Sequence, residues 1–143
     1  MAYRVLPASE QHWRPSNVMG VDNTDLARQL GATALGTRLW RLAPGQASTW
    51  HRHEVTEELY LLMKGTGRVR VEGETLTVEP GTALMVEPET LRQLFNDTDA
   101  DQLWLVVGAP PEMASTLEMT EDDIARRYPD GLTAMPPELG GGA

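Results

Sequence analysis

The chain has 143 residues, the size of one ordinary domain, and its 41% hydrophobic and 23% charged content are those of a globular fold. A net charge of −9 with no Lys/Arg cluster to offset it repels phosphate backbones, so nucleic acid is excluded as an expected partner. Cysteine is absent, which excludes disulfides and thiolate chemistry, and no run approaches the ~20 apolar residues of a membrane helix.

Residues 1–35 read as an N-terminal extension with strand or short helix. Its opening, MAYRVLPASEQHWRP, lacks the apolar core of a signal peptide, so a soluble cytoplasmic protein is expected. Asp25 to Gly31 suits a short helix closed by glycine. From Gly36 to 108 the pattern changes to short β-favouring segments punctuated by turn residues. Thr37–Leu42 stops at Pro44-Gly45, Ala47–His53 follows, and Leu59–Met63 runs into the Gly65-Thr66-Gly67 turn. Arg68–Glu72 and Thr75–Val78 alternate polar and apolar about Gly73-Glu74, the period of half-buried strands. Ala83–Val86, Arg92–Phe95 and Leu103–Val107 complete an all-β barrel or sandwich. Within 109–135, Thr120 as N-cap, acids at 121–123 and arginines at 126–127 predict a second short helix. The tail, 136–143, with three successive glycines, is expected to be disordered.

His51 and His53 are the most informative pair. Successive strand side chains point to opposite faces, so positions 51 and 53 project the same way. A turn at 54–57 would let the returning strand bring Glu58 beside them. Two imidazoles and a carboxylate leave open coordination positions and suit a divalent transition metal: Fe, Mn, Ni or Zn. The plainer reading is two surface histidines on a strand edge.

These residues resemble the first motif of the cupin superfamily: Gly, five residues, His-x-His, three or four residues, Glu, six residues, Gly. Gly45, His51, His53, Glu58 and Gly65 match it at every position. In the second motif Gly81 and Asn96 match, whereas Glu87, Glu89 and Arg92 stand where the family has Pro, Gly and the fourth ligand, His. The resemblance spans about 36–108 and implies a cupin-type double-stranded β-helix, or jelly roll, with short flanking helices. It also implies a homodimer and a small-molecule ligand. The expected function is a metal-dependent enzyme of dioxygenase or isomerase/cyclase type acting on a small anionic molecule. The alternative is a non-catalytic binding or sensor cupin with a metal-free site.

Arg92 carries only donors and cannot ligate a cation. It would grip an anionic substrate beside the metal, or pair with Glu58 in a metal-free cup, or turn outward to Glu87 or Glu89. Arg92 and Tyr60 are the catalytic candidates, with His51, His53 and Glu58 as the metal ligands. Tyr60, Leu62, Met85, Leu94 and Trp104 are expected as core or pocket lining. Trp50 and Arg52 alternate away from the histidines, and Trp50 with Trp40 is the expected outer dimer face.

Overall fold

Nine strands form among the described residues, 2–142, of the computed structural model. In chain order they are β1 (Arg14–Pro15), β2 (Asp22–Asp25), β3 (Gly36–Leu42), β4 (Glu57–Lys64), β5 (Gly67–Val71), β6 (Glu74–Val78), β7 (Ala83–Val86), β8 (Arg92–Phe95) and β9 (Gln102–Ala109). They make two antiparallel sheets, one ordered β1-β2-β3-β9-β4-β7 and the other β6-β5-β8. Neighbours that are distant in sequence, such as β3 and β9, give the crossovers of a jelly roll. This is the expected cupin-type architecture.

The alternation read from sequence decides which face closes on which. Leu42, Leu62 and Trp104 of the large sheet pack against Val69 and Leu94 of the small one, all of them buried. Register lines up Trp40, Trp104 and Leu62 across β3, β9 and β4. The motif glycine Gly65 turns the chain at φ +86, where a Cβ would also run into the Asp101 carbonyl.

The flanking helices form where the caps predict them. Helix α1 (Leu26–Leu30) starts on the Asp25 carboxylate, which accepts from the Arg28 N–H, and ends on left-handed Gly31. Helix α2 (Glu121–Arg127) has a reciprocal capping box between Thr120 and Asp123. No helix among the described residues is long and apolar enough to cross a membrane.

Four expectations are corrected. The 47–53 segment is no regular strand; it touches β8 through isolated bridges, Ala47 to Phe95 and His51 to Arg92. Four steps along one chain face three along the other, so an extra residue bulges out and breaks the ladder. Trp50 is not an outer contact surface but is 3% exposed, with the Arg70 guanidinium 3.9 Å from its ring centroid. Met85 neither fills the core nor lines the pocket; it is 58% exposed on the outer face of β7. The tail expected to be disordered carries a 3-10 turn at Pro137–Leu139, while residue 143 lies outside the described residues. It is anchored because Pro136 is buried, Gln93 Nε2 donates to the Ala134 carbonyl, and the Thr75 hydroxyl donates to Glu138.

Candidate metal centre

The segment carrying the histidines is held against β8 by its backbone. His51 N–H donates to the Arg92 carbonyl at 3.1 Å, and Arg92 N–H returns to the His51 carbonyl at 2.9 Å. His53 N–H donates to the Pro88 carbonyl at 2.7 Å. On the facing strand β4, the pleat turns Glu58, Tyr60 and Leu62 inward. Opposite Glu58 stands Gly108, where a Cβ would come within 2.8 Å of the Thr56 methyl and 3.5 Å of Glu58 Cγ. The missing side chain there leaves room for the carboxylate.

His51, His53 and Glu58 converge. His51 Nε2 and His53 Nε2 are 3.2 Å apart. Glu58 Oε1 is 2.9 Å from His53 Nε2 and 3.7 Å from His51 Nε2. Three donors each ~2.1 Å from a common ion would be separated by roughly 3.0–3.4 Å. The observed spacings bracket that range.

The far side of the His51 ring fixes its tautomer, whereas that of His53 faces a charge. His51 Nδ1 lies 3.0 Å from the Thr49 carbonyl, an acceptor only, so its proton belongs on Nδ1. His53 Nδ1 is buried and faces the Glu112 carboxylate at 3.4 Å, an electrostatic contact rather than a formed hydrogen bond. Both Nε2 atoms and the Glu58 carboxylate oxygen face one another, with His53 Nε2 at hydrogen-bond distance from Glu58 Oε1. With the two Nε2 atoms unprotonated, as ligation requires, this donor set fits a divalent transition metal.

Glu112 and Arg127 are site residues the sequence did not reveal. Glu112 accepts from the backbone N–H groups of Glu54, Val55 and Thr56, at 2.9 Å from the last. Its other oxygen pairs with Arg127 of α2 at 2.8 Å. Burial would raise the Glu112 carboxyl, but these donors outweigh it and hold its pKa at about 2. Arg127 also donates to the Met113 carbonyl. Only the Pro110-Pro111 pair ahead of Glu112 hinted that the chain turns there.

Tyr60 is buried, and its hydroxyl donates to Glu58 Oε1 at 2.6 Å. Burial, then the Glu58 charge, push the phenol well above its ordinary value, against the nearby Arg92 charge. The phenol therefore keeps its proton. Burial also raises the Glu58 carboxyl, but the adjoining imidazoles of His51 and His53 outweigh it and hold the group well below its ordinary value.

Arg92 pairs with neither the Glu58 carboxylate nor those of Glu87 and Glu89. Its side chain is fully buried, and the guanidinium donates to the carbonyls of Glu87 at 2.7 Å, Val86 at 3.3 Å and Pro88 at 3.4 Å. The bend between β7 and β8 offers carbonyls where the expectation supplied only carboxylates. Asn96, the matching residue of the second motif, is likewise structural: it donates to the Leu42 and Ala100 carbonyls.

The centre opens on a cavity of about 620 Å³, also lined by Arg38, Trp40, Leu94 and Tyr128. That volume suits a small molecule. Trp40, expected on the outer face, points into this cavity because its register places it opposite inward-facing Trp104.

Residues 38–108 match the family model of the cupin domain. This chain carries a cupin domain. The cupin is similar to a sugar phosphate isomerase of the cupin superfamily from Silicibacter pomeroyi, at 25% identity and TM-score 0.69 over 76% of each chain. A predicted oxalate decarboxylase from Thermotoga maritima is 23% identical at TM-score 0.66, over 76% of this chain and 100% of that one. KdgF from Halomonas sp. is 19% identical at TM-score 0.66, over 76% and 96%. These last two share the fold. An uncharacterised protein of Methanocaldococcus jannaschii is 25% identical over 77 residues, 54% of this chain; the match spans 62% of that relative's length.

Proposed function

We propose that this cupin is a metal-dependent enzyme acting on a small anionic molecule, with His51, His53 and Glu58 as ligands. The reading is supported by two imidazole Nε2 atoms and a carboxylate oxygen meeting 2.9 to 3.7 Å apart beside a cavity. A divalent Fe, Mn, Ni or Zn ion held there would supply a Lewis acid that polarises a substrate oxygen. Tyr60 holds a proton at its hydroxyl on the cavity wall, within reach of Glu58, and is the catalytic candidate. Arg92 is a positioning residue: it grips the Pro88 carbonyl that also accepts the His53 N–H. Of the dioxygenase and isomerase/cyclase types, the isomerase is favoured by likeness to the sugar phosphate isomerase at 25% identity.

The acidic, cysteine-free chain supports a cytoplasmic location. The partner is a second copy, docked through the outer face of the large sheet, where Leu59, Met63 and Met85 are 42%, 49% and 58% exposed.

Metal analysis of full-length protein purified without added metal tests the function. Close to one equivalent of Fe, Mn, Ni or Zn per chain is expected, lost in His51→Ala and in Glu58→Ala. A protein that stays metal-free after reconstitution with each ion overturns the enzyme and leaves a binding module.

A further inference from the structure

The candidate metal ligands occupy one part of the cavity; another part, on the same sheet as Glu58, has a chemistry of its own. Register along β2, β3, β9 and β4 sets Asp25, Arg38, Val106 and Tyr60 in a single row. Adjacent strands lie ~4.8 Å apart, so Arg38 stands about 10 Å from Tyr60, with only Val106 between them. Tyr60 touches Glu58, so the row runs from a guanidinium to the ligand set.

Arg38 is not alone. Arg14 of β1 and Arg28 of α1 line the same cavity. Arg38 pairs with Asp25 at 3.0 Å and donates to Asn23 at 2.8 Å. Among the described residues, Arg14 and Arg28 have no carboxylate within ion-pair distance. Burial first, and then the charges of Arg14 and Arg28 against the help of Asp25, disfavour the charged form of Arg38. Three guanidinium groups thus line one cavity, only one of them ion-paired to Asp25, in a chain whose net charge is −9; Glu58, Glu112 and Glu118 also line it. Such a concentration of unneutralised positive charge attracts an anion, and guanidinium forks match phosphate and carboxylate oxygens two at a time.

We propose that Arg38, Arg28 and Arg14 form an anion subsite that takes the phosphate or carboxylate end of a small molecule, whose other end reaches His51, His53 and Glu58. The subsite deepens the proposed function by naming its substrate class: a molecule with an anionic group at one end and metal-seeking oxygens at the other. A cavity of about 620 Å³ sets the upper size. Only the far end of this ligand rests on the metal reading; anion capture at the arginines requires no metal.

Calorimetric titration of the metal-stripped full-length protein tests the subsite, with inorganic phosphate and succinate as probes. At least one probe should bind saturably and more weakly as salt is added. Arg28→Ala and Arg38→Gln should each weaken binding about tenfold, the worth of one charge-assisted hydrogen bond. His51→Ala should leave it unchanged. Arg28 is exposed on a helix, so its variant keeps the test valid even if Arg38→Gln fails to fold. Tighter phosphate assigns a phosphorylated substrate and tighter succinate a carboxylic one. No saturable binding, or binding that Arg28→Ala does not weaken, overturns the subsite. So does a loss in His51→Ala equal to that in Arg28→Ala, which would put the anion at the metal end. A protein that never takes up metal yet shows the arginine dependence ends the metal reading and keeps the subsite.

Discussion

Glu112 approaches His53 from behind, and nothing in its local sequence marks it for that position. Its carboxylate faces the buried Nδ1 at 3.4 Å while three backbone N–H groups and Arg127 fix it in place. A carboxylate behind a ligating histidine sets the tautomer and the ring orientation, and its loss costs about 10–100-fold in metal affinity. Glu112→Gln should therefore lower metal affinity by about that factor, measured by competition with a chelator. The same substitution should show in acid stability. Because the folded pKa of Glu112 lies near 2, below its ordinary 4.5, its contribution is complete above 4.5 and fades as pH falls toward 2. In urea unfolding, the gap between wild type and Glu112→Gln should be wide at pH 7 and narrow at pH 3. Equal gaps would place the carboxylate's role elsewhere. At this scale His51, His53 and Glu58 were legible because they lie within eight residues and follow strand alternation. Glu112, Arg127 and Arg38 were not, since folding alone brings them to the cavity.

The bend from β7 to β8 is held by a side chain that sequence reading left between an anionic substrate, Glu58 and the carboxylates of Glu87 and Glu89. Arg92 stands where the family places a histidine ligand, and position alone suggested a group aimed at the metal. Instead, three carbonyls of residues 86–88 accept its protons inside the barrel. Removing those donors without replacing them strands buried acceptors, each at a cost of about 1–3 kcal/mol. Arg92→Met should lower unfolding free energy by about 2–4 kcal/mol in urea titration, with the metal content of the folded protein retained. A variant of full stability that has lost its metal would return Arg92 to the site. The 47–53 segment shows the same limit. Its apolar and polar alternation was read correctly enough to pair the histidines, but a bulge against β8 is set by pairing between chains, which local pattern does not encode. Helices α1 and α2, by contrast, were fixed by side chains within three residues of their own ends, which is why their caps were readable.

Across the whole molecule, the large sheet has two unlike faces. Its inner face builds the core and the cavity, while Leu59, Met63 and Met85 leave the outer face apolar and open. A two-fold pair of such faces would bury each against its own copy. Light scattering should give twice the 15.8 kDa chain mass, and Leu59→Lys with Met85→Lys should return the single-chain value. A wild type at 15.8 kDa would remove the dimer. Sequence by itself determined where most strands between residues 36 and 108 lie along the chain, the helix caps, the His-x-His and Glu spacing and the absence of thiol chemistry, because each rests on neighbours a few residues apart. Tertiary structure alone decided that Trp50 is covered, that Trp40 faces the cavity, that Arg92 donates to backbone carbonyls, that Glu112 stands behind His53, and that Arg14, Arg28 and Arg38 line the cavity. Those outcomes depend on which strands lie side by side and what crosses between the sheets, contacts between residues tens of positions apart that only closure of the barrel creates.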